Sequence, residues 1–170
     1  MALAIYVALF IIRGPKMAER FKPNLTVALI IEHEGRFLMV EEYQETGDLC
    51  FGNIAGHVEA RESIIEAALR EGLEECGCEI ELDHLVGVYD YVKDYETILR
   101  FTFKAHLKEG NPDLVKINDP DGDIVAIKWL TKDEIFAGKD LWRTRLIGPN
   151  FEDYFKGQAI PLSFITTVRP

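Results

Sequence analysis

Cysteine is scarce in this chain: Cys50, Cys76 and Cys78 are the only three among 170 residues. An odd number without regular spacing is no disulfide framework, and it fits a reducing, cytoplasmic setting. Cys76-x-Cys78 has the spacing of half a metal site, but small buried hydrophobes account for the pair better. Positive charge is also short. Nineteen Lys and Arg stand against 29 Asp and Glu, a formal net charge of −10. Such a surface argues against binding to a nucleic-acid backbone. An acidic protein with an anionic substrate needs local positive charge, and a bound metal ion is the obvious source. No apolar run reaches the roughly 20 residues of a membrane helix, so no membrane partner is expected. The run Ala2–Ile12 (ALAIYVALFII) is too short, and Arg13 and Lys16 follow it rather than precede it. No A-x-A cleavage site comes after it, so it is no secretory signal. It reads as an extension before a working start at Met17, which puts an extension at residues 1–20 and the domain at 21–170. The alternative is a strand or helix packing on the domain or on a second subunit, so monomer and homodimer both stay open. Internal repeats and low-complexity segments are absent.

What is present is ordinary globular material. Apolar residues make up 48% and charged residues 28% of the chain, which suits one domain with a real core. Leu25–His33 is a short apolar, β-branched run and reads as a buried strand. Gly35 marks a turn, and Arg36–Tyr43 is the next strand. Cys50–Ile54 is a short strand leading into a helix. Further strands are expected at Glu79–Leu82, Leu85–Val92, Ile98–Leu107 and Ile124–Leu130. Thr131-x-x-Glu134 signals a short helix, Gly148 and Pro149 break the chain, and Phe151–Phe155 forms a final helix.

The segment from Gly56 to Cys78, GHVEARESIIEAALREGLEECGC, carries the most information. Ser63-x-x-Glu66 matches a capping box at a helix start, and Gly77 suits a left-handed cap at its end. Ile65, Ala68, Leu69, Gly72 and Cys76 form a stripe toward the sheet, next to a face with Glu71, Glu74 and Glu75. Gly72 inside that stripe costs about 1 kcal/mol of helix propensity relative to Ala, so something must approach closely there. Carboxylates at i, i+3 and i+4 crowd like charge, and hard divalent cations want such oxygen ligands. An acidic helix face taken alone is ordinarily just solvated.

The flanking residues change that balance. Gly56, Glu62, Arg70, Glu71, Glu74, Glu75 and Gly77 occupy every fixed position of the pattern G-x5-E-x7-R-E-U-x-E-E-x-G-U. The segment therefore resembles the Nudix box, with Gly72 and Cys78 standing where a bulky aliphatic (U) is usual. The resemblance implies an α/β fold: an α/β/α sandwich with a mixed sheet and a strand-loop-helix catalytic motif. It implies a hydrolase acting on nucleoside diphosphate-linked compounds with Mg²⁺, or Mn²⁺ in its place. It also implies metal ligands at Glu71, Glu74, Glu75 and the Gly56 carbonyl, Glu74 as the base, Arg70 orienting the carboxylates, and Glu62 bracing the loop. Segments outside the box, including Phe21–Glu42, Leu99–Leu107 and Ile160–Ile165, resemble the bacterial NudJ phosphatases within the family. Phe51 and Ile54 depart from the tryptophan and proline usual there. That group implies release of orthophosphate from nucleoside tri- and diphosphates and from hydroxymethylpyrimidine pyrophosphate. The alternatives are a MutT-type enzyme releasing pyrophosphate and a nucleotide sensor without turnover.

Outside the box, Asp123 in the loop Asn118–Asp123 (NDPDGD) lies six positions before Trp129. In several relatives an acidic residue so placed binds metal or acts as base; otherwise the loop is a polar turn. Phe51 and Tyr91 are candidates for stacking a substrate ring and Arg100 for meeting phosphate, although such side chains more often serve packing or solvation.

Overall fold

The computed structural model describes residues 20–170; the run Ala2–Ile12 and the start at Met17 lie outside the described residues. The first strand, β1 (Asn24–His33), organises the sheet. Its apolar run is continuous because both faces are covered. Val27, Leu29 and Ile31 enter one core cluster, whereas Ile30 enters the other with Phe37 and Met39 of β2 (Arg36–Tyr43). Glu34 and Gly35 join the strands with φ of 49° and 75°, the twin left-handed residues of a tight hairpin.

The chain then changes partner strand. β3 (Leu49–Gly52) pairs with β2, and β4 (Ala55–His57) pairs with β1. The expected single strand at Cys50–Ile54 is thus two short strands separated at Asn53 and Ile54. Leu29 holds that crossing: its N–H donates to the Ile54 carbonyl at 2.9 Å and its carbonyl accepts from Asn53 Nδ2 at 3.1 Å. The helix α1 (Ile64–Cys76) follows at once, with both halves of the Ser63/Glu66 capping box formed and Gly77 at φ 67°.

β5 (Ile80–Val92) and β6 (Thr97–Leu107) complete the sheet, β6 running parallel to β1. The two strands expected at Glu79–Leu82 and Leu85–Val92 are one, because irregularities between Leu82 and His84 and between Leu85 and Gly87 absorb the offset without ending the pairing. β7 (Ile124–Thr131) pairs with β2 and runs into α2 (Lys132–Ala137) through the Thr131/Glu134 capping box. The last helix, α3 (Ile147–Phe155), starts earlier than expected and includes Gly148 and Pro149. Pro149 lies in the first turn, where no intrahelical acceptor awaits its missing N–H.

Helices cover both faces of the sheet, giving an α/β/α sandwich of mixed strand direction. Ala67, Ala68 and Cys76 of α1 pack in the first cluster, and Ile135 of α2 with Ile147 and Phe151 of α3 in the second. Ala68, Gly72 and Cys76 are buried as expected, but α1 is turned slightly from the expected face: Leu69 is 39% exposed, while Glu71 and Glu75 are buried. Small residues permit this. A Cβ on Gly72 would lie 2.6 Å from Ile80 Cδ1 and 3.3 Å from Leu29 Cδ1. Close seating of the helix turns two carboxylates inward beside β4. Among the described residues no helix is long and apolar enough to cross a membrane.

The entrance of α1 fixes the site, so its cap is open to test. Ser63→Ala removes an acceptor for the Glu66 N–H and should cost about 1 kcal/mol, read from the urea midpoint at unchanged m-value.

Candidate active site

Arg70 stands at the centre of the acidic helix face. Its Nε and Nη2 donate to Glu62 Oε1 and Oε2 at 2.8 and 3.0 Å. Nη1 donates to Glu71 Oε1 at 2.8 Å and to Glu74 Oε2 at 2.7 Å, and Nη2 also reaches the His57 carbonyl at 2.9 Å. All five N–H groups of the fork are thereby used. Glu62 in turn accepts from the Glu59 N–H at 3.0 Å, so one ion pair ties the loop to the helix. Hydrogen bonding to Arg70 holds the Glu62 carboxyl below its ordinary value, and the Glu62 bonds push the Arg70 guanidinium further up.

Glu71 and Glu75 are the buried members, 8% and 9% exposed. Burial pushes Glu71 up, partly offset by Arg70 and reinforced by Glu74 and Glu62. Burial pushes Glu75 up to about 8 against the opposing pull of Arg143, and its Oε2 is buried without a hydrogen-bond partner. Gly56 of β4 faces this group. A Cβ there would fall 2.1 Å from Glu71 Oε1, so the backbone and carboxylate sit as close as they do because the side chain is absent.

The loop before β7 supplies the opposite wall. It is tied to the end of α1 by Lys116 N–H to the Cys76 carbonyl (3.1 Å) and Asn118 Nδ2 to the Leu73 carbonyl (3.2 Å). Asp119 is occupied in holding the loop, accepting from the backbone N–H groups of Asp121, Asp123 and Ile124. Burial alone would raise its carboxyl, but these donors bring it below its ordinary value. Asp121 and Asp123 are exposed. Asp123 and Asp119 line the same cleft, about 390 Å³, as Gly56, Arg70, Glu71, Glu74 and Glu75.

The chain that carries this cleft is similar to known proteins over most of its length. The NUDIX domain profile matches residues 21–151. The chain belongs to the Nudix hydrolase family. It is 35% identical over 146 residues to the phosphatase NudJ of Escherichia coli K12 and of Shigella flexneri, covering 85% of this chain and 92% of theirs. A NUDIX hydrolase structure from Nitrosomonas europaea is 37% identical with a TM-score of 0.78, over 86% of this chain and 98% of that one. An Ap4A hydrolase from C. elegans, at 19% identity and TM-score 0.60, covers 79% of this chain and 96% of its own and shows the shared fold alone. As a Nudix hydrolase the protein acts on phosphoric anhydride bonds. The family takes small nucleotide-like substrates and in general uses divalent ions such as Mg²⁺.

The donor set of this acidic cleft fits a hard cation in its chemistry. The acceptors are carboxylate oxygens, one of them buried and unpartnered, in a cleft also bordered by the Gly56 backbone. Among the described residues no three acidic, imidazole or thiolate side chains converge on one point. Arg70 Nη1 instead takes one oxygen each from Glu71 and Glu74.

A second cleft, about 440 Å³, shares Ala55, Gly56, His57 and Arg143 with the first, and Tyr91 and Arg100 line it. Phe51 departs from expectation. It is 6% exposed, packs in the second core cluster and lines neither cleft. Gly138 lies against its ring, since a Cβ there would come within 2.8 Å of it. Sequence reasoning missed Arg143 and Glu42, which border the acidic cleft and pair at 2.9 Å. They stand 101 residues apart in no local motif, and the β3 contact through Arg143 N–H to the Phe51 carbonyl brings them together.

Two substitutions test this geometry. Arg70→Ala leaves Glu62 and Glu71 unpaired and should cost about 2–3 kcal/mol after allowance for partial exposure, measured by denaturant unfolding. Gly56→Ala should keep its far-UV circular dichroism spectrum, unfold at a lower urea midpoint and lose at least tenfold in hydrolytic kcat, because the buried Glu71 carboxylate must move.

Proposed function

We propose that the protein is a Mg²⁺-dependent pyrophosphohydrolase of NudJ type, with Mn²⁺ able to replace Mg²⁺. It cleaves nucleoside tri- and diphosphates or related compounds such as hydroxymethylpyrimidine pyrophosphate, and releases orthophosphate. The observation that carries this reading is the buried, unpartnered Oε2 of Glu75 beside Glu71 and Glu74 in a cleft with no side chain at Gly56. Glu71, Glu74, Glu75 and the Gly56 carbonyl would hold the cation. When bound, it supplies neutralising charge to the anhydride and acidifies water.

The chain's own groups then divide the work. Arg70 fixes the rotamers of Glu71 and Glu74 and leaves Glu74 Oε1 outside its hydrogen bonds. Glu74 has the most exposed side chain of the three carboxylates, which suits a base that takes the water proton at that oxygen. Asp123 faces the same cleft from the opposite loop and is the second candidate for that role. The water oxygen bonds to the terminal phosphorus as the bond from that phosphorus to the bridging oxygen breaks. The bridging oxygen keeps the electron pair and remains with the organic phosphate. Three free thiols fit work in the reducing cytoplasm.

A hydrolysis panel with product identification tests the reading, using nucleoside di- and triphosphates, oxidised dGTP, a dinucleoside polyphosphate and hydroxymethylpyrimidine pyrophosphate. Orthophosphate from several di- and triphosphates is expected. Pyrophosphate from one preferred triphosphate would indicate a house-cleaning enzyme instead, and no turnover would indicate a sensor. Glu74→Gln and Glu75→Gln should each lower kcat by at least about a hundredfold. Glu75→Gln should not lower the metal-free melting temperature, because it removes a buried charge that burial already disfavours.

A further inference from the structure

The second cleft is strongly basic in a chain of net charge −10. Lys93, Arg100, Arg143 and Arg145 line it, together with Tyr91 and Trp142. Two of these cations are already compensated. Lys93 pairs with Glu96, and Arg143 pairs with Glu42. The other two are not. Arg145 is exposed and makes no ion pair among the described residues. Arg100 is 7% exposed, and its Nε donates to the neutral hydroxyl of Thr26 at 3.1 Å. Its Nη1 is buried without any acceptor. A buried guanidinium lacking a carboxylate, set beside a second one, is costly unless an anion completes it. Burial and then the charge of Arg143 push Arg100 down to about 10, partly countered by Glu75.

Arg143 is positioned between the two clefts. Its backbone N–H donates to the Phe51 carbonyl at 2.8 Å, and its Nη2 donates to the Asn53 carbonyl at 2.8 Å. Gly52 makes room for it, since a Cβ there would lie 3.0 Å from Arg143 Nε. Trp142 is likewise fixed, its Nε1 donating to the Ile135 carbonyl at 3.0 Å and its ring standing edge-on to Phe136. A rigid cation thus borders both clefts, with a fixed aromatic ring next to it in sequence.

We propose that this cleft is the subsite for the organic half of the substrate: Arg100, Arg143 and Arg145 hold the phosphate that stays with that half, and Trp142 and Tyr91 face its ring. The uncompensated charge of Arg100 and Arg145 matches one phosphate monoester, which carries about −1.5 to −2 at neutral pH. The substrate class this selects is a diphosphate ester of a ring-bearing group, cleaved to orthophosphate and the monoester. The inference rests on the hydrolytic reading above, but the subsite binds its anion independently of the carboxylate cleft.

Metal-free binding separates the two. Isothermal titration in EDTA, with uridine 5′-monophosphate, uridine and inorganic phosphate as probes, should show the monophosphate binding more tightly than either of the others. Arg145→Ala, on the surface, and Arg100→Gln should each weaken the monophosphate at least about tenfold, and Glu71→Gln should leave it unchanged. If Arg100→Gln does not fold, Arg145→Ala decides. Monophosphate affinity within twofold of wild type in Arg145→Ala, or uridine binding as tightly as its monophosphate, would overturn the subsite. So would inorganic phosphate binding as tightly as the monophosphate, since the ring would then contribute nothing. Hydrolysis without this binding pattern refutes the subsite alone; the binding pattern without hydrolysis supports the subsite and refutes the proposed reaction alone.

Discussion

The Arg70 guanidinium lets carboxylates crowd one end of α1. Glu71, Glu74 and Glu75 lie within little more than one turn of helix, and like charges at such separations repel by about 1 kcal/mol per pair in water and several-fold more in a partly buried setting. Two hydrogen bonds from Arg70, to Glu71 and Glu74, offset that repulsion, and its other three anchor the loop through Glu62 and the end of β4 through the His57 carbonyl. Backbone position and carboxylate position are therefore set by one residue. The remaining strain is concentrated at Glu75, which Arg70 does not reach and whose Oε2 stays unpartnered. A divalent cation is the group whose charge and oxygen preference would relieve it.

Small residues make the arrangement possible, and each does so at a stated contact. Gly72 lets Ile80 and Leu29 methyls press against the helix backbone, which rolls Glu71 and Glu75 inward. Gly56 leaves room for the Glu71 carboxylate, and Gly52 leaves room for Arg143. In the family pattern the position of Gly72 carries a bulky aliphatic, so here Ile80 fills the space that such a side chain would take. The polarity of the two clefts follows from the same framework. The carboxylates of α1 and of the loop before β7 face one cavity, and the cations of the β5–β6 turn (Lys93), of β6 (Arg100) and of the segment before α3 (Arg145) face the other, with β4 and Arg143 between them.

Much of this was legible in the sequence, for local reasons. The β1–β2 hairpin, the caps of α1 and the entrance to α2 depend on residues within a few positions of one another, and they lie where Gly35, Ser63, Gly77 and Thr131 place them. The carboxylate cluster was visible because helical spacing brings its members to one side. What depends on distant contacts was not visible. Leu69 looks like a core residue by periodicity, yet it is exposed because tertiary packing on Gly72 rotates the helix. Phe51 looks like a ligand-stacking residue by type, yet its partners Gly138 and Ile135 lie more than eighty residues downstream and bury it. Arg143 has no local signature at all, since Glu42 and Asn53 reach it only through the pairing of β2 and β3 and the contact of Phe51 with the segment after α2. Pro149 reads as a breaker in isolation and is harmless in a first helical turn.

The central claim is that the Arg70-ordered carboxylates of α1 form the cation site on which hydrolysis depends. Anomalous diffraction from crystals soaked in Mn²⁺ tests it most directly. The account predicts a peak bounded by the carboxylates of Glu71, Glu74 and Glu75 next to the Gly56 backbone, and its loss in Glu75→Gln. A peak confined to the loop Asp119–Asp123, or no peak in active protein, would contradict it.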